Sequence, residues 1–298
     1  MNGPSPASAA PVAFTERVGI LGCGRMAEAM LARWLDSGTL AAGQVHAVVR
    51  TPERAELLRQ RWGVTADLDT DGMAASCGVV LLAVKPQQLA TFGGATDHAS
   101  SGDAAQRTPT GALWISVLAG TPLAALRSVM GDEPTWVRAM PNTPSRIGLG
   151  ASALCVDASI TPAQRQTVDA LFDPLGATFW LEEARIDAFT AVAGSGPAYV
   201  FAFAEALQAA AVAEGFDAED ARNLATATLH GAAVMLAKDG RPAAALRQEV
   251  VSPGGTTAAG LDVFAAGGFA ELVAAGVMAA RMRSQALAAE AAAVIAKR

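Results

Sequence analysis

Cysteine is scarce in this 298-residue chain: Cys23, Cys77 and Cys155 are widely spaced and odd in number. They make no CxxC pair and no even framework, which excludes a disulfide scaffold and points to a reducing, cytoplasmic setting. Histidine is as sparse. His46, His98 and His230 fall at no metal-ligand spacing, so no metal site is expected. Aromatic residues are only 5% of the chain while alanine is plentiful. Cores built from small residues suit close helix packing that continues into subunit interfaces. Basic charge is short too, with 22 Lys and Arg against 28 Asp and Glu, a net charge of -6, and no cationic stripe. Phosphate neutralisation needs clustered cations, so no nucleic-acid partner is expected. The most apolar stretch, Pro197 to Ala213, is interrupted by Glu205 and Gln208, and no membrane span is expected. The opening Met1 to Pro11, rich in Ala, Ser and Pro, lacks a basic start and an apolar run. Residues 1–16 therefore read as a frayed leader, not a signal peptide.

What is present is a chain 52% hydrophobic and only 17% charged, long enough for two cores. Its first half alternates apolar strands with helices. Strands are predicted at Arg17 to Leu21, Gln44 to Val49, Val79 to Val84, Ala112 to Val117 and Thr135 to Met140, and helices at Met26 to Leu35 and Glu53 to Arg61. Continuous apolar strands spaced by helices imply βαβ units and a mostly parallel sheet covered on both faces. Past Pro162 the strand signals stop, and helices are predicted to begin near Thr161, Gly196, Asp217, Pro242, Thr256 and Gly268. The fold class is α/β: a Rossmann-type domain over 17–175, then an all-α domain over 176–298.

The segment Gly22-Cys23-Gly24-Arg25-Met26-Ala27 follows the first strand and opens the first helix, in the G-x-G-x-x-A form. Gly22 permits the tight turn, Gly24 lets backbone approach a pyrophosphate, and Ala27 allows close helix–strand contact. The N–H groups at the helix start, from Arg25 and Met26 onward, face the phosphates. An NAD site usually places an acid at the end of the second strand. Here that strand ends Val48-Val49-Arg50-Thr51, a base and a hydroxyl suited to a 2′-phosphate. NADPH is the expected cofactor, with NADH admissible. Two further strand-end loops lie where ligands of open sheets bind, Ala83-Val84-Lys85-Pro86 and the small-residue run containing Ala119 and Gly120. Asn142, bracketed by Pro141 and Pro144, ends another strand.

A second constellation lies in the helical half. Ser252-Pro253-Gly254-Gly255-Thr256-Thr257 feeds a helix start. A glycine-rich turn in that place makes a nest of N–H groups that takes a carboxylate or phosphate, or it simply caps a helix. Thr257 sits in the first turn with its hydroxyl available. Gly194-Ser195-Gly196-Pro197, ahead of the apolar helix, reads as a packing turn or a close backbone approach.

Taken together, Val251 to Leu261, Met140-Pro141-Asn142-Thr143-Pro144 and Gly194 to Tyr199, in this order, resemble the pyrroline-5-carboxylate reductase family from about Arg17 onward. The resemblance implies a helical domain that interlocks with a partner subunit, giving a homodimer or a ring of dimers. It implies reduction of the cyclic imine 1-pyrroline-5-carboxylate to L-proline with NAD(P)H, an imino acid being the small-molecule partner. It further implies that Thr257 hydrogen-bonds the imine nitrogen, and that Ser252, Gly254, Gly255 and Thr256 hold the substrate carboxylate. Lys85, Pro86 and Asn142 match positions near the nicotinamide half of the cofactor. Arg25 departs from the asparagine most common in the family's glycine loop, and Asp239, in the loosely matching Lys238 to Glu249 segment, is a weaker acid candidate. Two alternatives stand beside this. A β-hydroxyacid dehydrogenase needs a lysine on the first long helix of its second domain, and Pro197 to Glu214 has none. A non-catalytic NADP sensor would have no use for the Gly254 to Thr257 turn.

Overall fold

The computed structural model describes residues 14–89, 111–156 and 160–296; most of the expected leader lies outside them. The chain forms two compact units. The first comprises Met1–Gly194 together with Ala280–Arg298, and the second Ser195–Ala279.

The first unit is built on a sheet of eight strands: β1 (Val18–Leu21), β2 (Val45–Val48), β3 (Thr65–Asp67), β4 (Val79–Leu82), β5 (Leu113–Ser116), β6 (Thr135–Pro141), β7 (Gly150–Cys155) and β8 (Gly176–Trp180). Their spatial order is β3-β2-β1-β4-β5-β6-β7-β8. The first six run parallel, β7 is antiparallel to β6, and β8 is parallel to β7. The order reverses between β1 and β4, the switch point at which dinucleotides bind in doubly wound sheets. The helices are α1 (Arg25–Asp36), α2 (Pro52–Trp62), α3 (Thr70–Ser76), the single turn α4 (Pro86–Leu89), α5 (Leu123–Met130), α6 (Pro162–Phe172) and α7 (Ile186–Phe189).

The unbroken apolar strands are explained by two cores, one on each sheet face. Val79 and Leu81 of β4 enter one with Ile20, Met30 and Trp34. Val80 and Leu82 enter the other with Met73, Trp114 and Trp136. Each fully buried aliphatic side chain is worth roughly 1.5–3 kcal/mol. Trp114 and Trp136 lie opposite each other in the β5–β6 register with ring centroids 5.4 Å apart. Helix starts follow local chemistry. Thr51 Oγ accepts the Arg54 N–H at 3.3 Å ahead of Pro52. Thr161 and Gln164 make a reciprocal capping box ahead of Pro162.

Two expectations are corrected here. Strand formation does not stop at Pro162, because β8 pairs with β7 from Gly150↔Gly176 to Leu154↔Trp180. The glycines permit this pairing: Gly176 has φ +131°, and a Cβ on Gly150 would sit 2.8 Å from the Leu175 carbonyl oxygen. A boundary at 175/176 therefore falls immediately before a strand of the sheet, and the first unit runs on to Gly194. The short β3, α3 and α5 also lie outside the sequence-predicted elements.

The second unit holds α8 (Gly196–Ala213), α9 (Ala218–Asp239), α10 (Ala243–Glu249), α11 (Thr256–Ala266) and the first part of α12 (Phe269–Ala296). All start within one residue of the predicted positions. Asp217 caps α9 by accepting the N–H groups of Glu219 and Asp220 at 2.9 and 2.8 Å. Only Ala221 and Ala225 are buried hydrophobics among its described residues, while Phe201 is 63% and Leu272 70% exposed. The 31-residue run Glu183–Ala213 contains an 18-residue stretch with mean hydropathy 1.2, long and apolar enough to cross a membrane by length and composition alone. Glu205 and Gln208 still interrupt it.

Candidate active site

At the carboxyl ends of β1, β2 and β4 lies a cleft of about 620 Å³. Of the expected cofactor residues, Gly22, Gly24, Arg50, Thr51, Ala83, Val84 and Lys85 line it. Gly22 has φ +86°, and a Cβ there would meet Val84 N and Cα at 2.8 Å. Its N–H donates to the Val48 carbonyl at 2.9 Å, and Ala83 N–H donates to the Leu21 carbonyl at 2.8 Å. The turn is thus pinned between β2 and β4. Gly24 differs: its φ is -84°, and a Cβ would meet nothing within 4 Å. It opens α1 without a side-chain cap, and the Glu28 N–H donates to its carbonyl at 2.8 Å. The N–H groups ahead of that first helical bond are left for a ligand.

The ribose end has a matching character. Arg50 is exposed, and no carboxylate pairs with it among the described residues. Thr51 Oγ caps α2 and keeps its own hydrogen to donate. Lys85 is exposed, with its backbone N–H on Gln88 Oε1 at 3.2 Å. A turn that excludes a Cβ, an uncapped helix start and an unpaired guanidinium fit a phosphorylated dinucleotide.

Other expected cofactor residues sit elsewhere. Ala27, in the first turn of α1, is buried, and Arg25 and Met26 line a second cleft. Pro86 begins α4 and is outside the lining of the first cleft. Ala119 is exposed, whereas Gly120 is buried against α12, where a Cβ would stand 3.3 Å from Leu287 and Ala288. The Asn142 side chain is committed at both ends: Oδ1 accepts the Ala151 N–H and Nδ2 donates to the Ala193 carbonyl, each at 2.9 Å. It ties β7 to the π-helical turn Thr190–Gly194.

Arg54 was not among the expected site residues. Its Nη2 donates to the Cys23 carbonyl at 2.9 Å and to Glu28 Oε2 at 2.6 Å, bracing the glycine turn from α2. A base in the first turn of a helix, where acids are favoured, was the available signal. Burial pushes the Glu28 carboxyl up, but Arg54, Trp62 and Arg61 together outweigh it and hold it below the usual carboxylate range. Burial also pushes the Cys23 thiol up to about 12, against the opposing pull of Arg54. It is a filler of the turn, not a nucleophile.

In the second unit, Ser252-Pro253-Gly254-Gly255 closes a turn in which Gly255 N–H donates to the Ser252 carbonyl at 3.0 Å. Proline at the second position and glycine at the third, with φ +68°, follow type II turn chemistry. Gly255 then opens α11 with no side-chain cap, and Ser252, Thr256 and Thr257 are exposed. The N–H groups at the start of α11 and the Thr257 hydroxyl therefore remain available to an anion. Asp239 has a different engagement. Arg241 grips it at 2.5 and 2.7 Å and Glu249 at 2.5 Å, closing the α9–α10 connection. The Arg241 hydrogen bonds hold the Asp239 carboxyl below its usual range.

An open sheet with a glycine-rich turn at its switch point, joined to a helical unit with exposed apolar faces, is the architecture of a dinucleotide-dependent oxidoreductase. Residues 183–287 match the family model described as pyrroline-5-carboxylate reductase dimerisation, and residues 17–119 match that of NADP oxidoreductase, coenzyme F420-dependent. The pyrroline-5-carboxylate reductase of Mycobacterium tuberculosis is 37% identical, over 91% of this chain and 96% of that protein. The enzyme from Pseudomonas aeruginosa is 35% identical over 92% and 97%. The solved reductase of Coxiella burnetii superposes with a TM-score of 0.82 at 30% identity, covering 92% of this chain and 99% of the other. That of Plasmodium falciparum, solved with NADP bound, gives 0.80 at 26% identity, over 93% and 99%. The chain belongs to the pyrroline-5-carboxylate reductase family and is an NADP-dependent oxidoreductase. The β-hydroxyacid dehydrogenase alternative is not favoured by these relatives. The whole of the apolar Glu183–Ala213 run lies inside the matched dimerisation region.

Proposed function

We propose that this chain reduces the C=N bond of 1-pyrroline-5-carboxylate to give L-proline. NADPH, when bound, supplies the hydride to the imine carbon, and the imine nitrogen carries the accompanying proton. In this reading Gly22, Gly24 and the start of α1 hold the pyrophosphate, and Arg50 and Thr51 hold the 2′-phosphate. Ser252, Gly254, Gly255 and Thr256 grip the substrate carboxylate, and the Thr257 hydroxyl hydrogen-bonds the ring nitrogen. A threonine hydroxyl is a weak acid, so its main contribution is orientation. The uncapped turn Ser252 to Thr257 carries the assignment: a second anion-binding helix start, separate from the dinucleotide turn, suits a substrate with its own carboxylate. We further assign the working form as a homodimer or a ring of dimers, which would cover the exposed apolar helix faces, and place it in the cytoplasm, a setting that suits three buried cysteines outside any disulfide.

The test follows NADPH absorbance with purified full-length chain. Oxidation on adding pyrroline-5-carboxylate, with proline as product, is the expected result. NADPH binding without turnover of any cyclic imino acid would leave a sensor in place of an enzyme.

A further inference from the structure

The first unit has a second cleft of about 650 Å³ beside α1. Three arginines from three elements converge on it: Arg25 from α1, Arg61 from α2 and Arg146 from the 3-10 turn Thr143–Ile147. In a chain of net charge -6, such a cluster runs against the average. The one carboxylate lining the cleft, Glu28, is already shared, accepting from Arg54 at 2.6 Å, Trp62 Nε1 at 3.1 Å and Arg61 at 3.2 Å. Arg25 and Arg146 are exposed and have no carboxylate partner among the described residues. The cleft is therefore left with surplus positive charge.

Helix stability does not explain Arg25. It is the first residue of α1, at the positive end of the helix dipole, where a cation is unfavourable. Nor does packing, since it is exposed. Ala29 and Ala32 leave room along the wall, and the Thr143 hydroxyl adds a donor beside the guanidinium groups. Paired guanidinium groups bind oxyanions through several charge-assisted hydrogen bonds at once.

We propose that this cleft binds a small multivalent oxyanion, distinct from the dinucleotide, bridging Arg146 to Arg25 and Arg61. Phosphate and carboxylate groups share the required chemistry, so inorganic tripolyphosphate and citrate serve as separate probes. Binding is measured by calorimetry on the full-length chain, free and saturated with NADPH, and repeated with Arg146→Gln and Arg146→Glu. Arg146 makes no described ion pair, so both variants keep the wild-type melting temperature and NADPH affinity within twofold. The expected result is that at least one probe binds the NADPH-saturated chain. Arg146→Gln then weakens it at least fivefold, and Arg146→Glu abolishes it. The stronger probe identifies the anion class. If neither probe binds, if the Arg146 variants bind unchanged, or if NADPH displaces the probe one for one, the site is disproved.

Discussion

Replacing Gly22 and Gly24 separately by alanine divides what the turn needs for folding from what it needs for its ligand. At Gly22 the new Cβ meets Val84 N and Cα at 2.8 Å and Cγ1 at 2.7 Å, and φ is +86°. Two of those atoms are backbone at the end of β4, so no rotamer change relieves the clash. The left-handed conformation costs an alanine roughly 1–2 kcal/mol, and overpacking typically adds about 1–3 kcal/mol. A total of roughly 2–5 kcal/mol corresponds to a melting point lowered by on the order of 10 °C. At Gly24 the same methyl meets nothing, and φ is -84°. The cost to the fold is that of a poorer N-cap, below about 1 kcal/mol, but in the proposed binding mode the methyl stands where the pyrophosphate approaches. Gly24→Ala should therefore melt within a few degrees of the native chain while losing more than tenfold in NADPH affinity by fluorescence titration. A Gly22→Ala protein that melts normally would refute the steric reasoning. Unchanged NADPH affinity in Gly24→Ala would remove the turn from the phosphate site.

Arg50→Ala should weaken NADPH at least tenfold and NADH less than threefold, since only the former carries the phosphate that a guanidinium pairs with; equal losses in the two titrations would exclude that pairing. Thr257→Ala should lower kcat more than tenfold with NADPH affinity within twofold, as read by steady-state kinetics and direct binding. Cys23 binds its proton more tightly in the folded chain, about 12 against the ordinary thiol value of 9.0. Its share of stability is therefore intact below pH 9 and lost as pH climbs toward 12, at roughly 1.4 kcal/mol per pH unit. Denaturant titrations of Cys23→Ala should lack that increment of alkaline sensitivity. Phe201→Asp, on an exposed face of α8, should reduce the assembled fraction in sedimentation velocity at micromolar concentration, whereas an unchanged mass distribution would place the subunit contact elsewhere.

Much of this molecule was legible because its strongest signals are local. Glycine and proline punctuation and local caps located α6 and α8 to α12, since caps such as Thr161 and Asp217 act within three residues of themselves. Strands buried on both faces wrote continuous apolar runs at β4 and β5. The edge of the sheet was not legible. Gly-Ala-Thr-Phe-Trp in β8 has little alternation, and its place is set by backbone pairing to β7, a partner more than twenty residues away. The site followed the same division. Gly22, Gly24 and Arg50 sit on the cleft because a turn and a strand end fix their position. Asn142 was assigned to a ligand from its neighbourhood, but long-range partners, Ala151 and Ala193, hold both ends of its amide. Arg54 was missed because its role depends on reaching Cys23, 31 residues away.

The course of α12 bears on how the chain can be made. The polypeptide leaves the first unit at Gly194 and returns at Ala280, where Ser284 reaches Asp187 at 2.7 Å and Leu287 and Ala288 close over Gly120. During vectorial synthesis the nucleotide-binding half therefore emerges with a bare patch that residues 280–296 fill only after the helical insertion has been translated. Nascent chains stalled before residue 280 should be the species most prone to capture by chaperones.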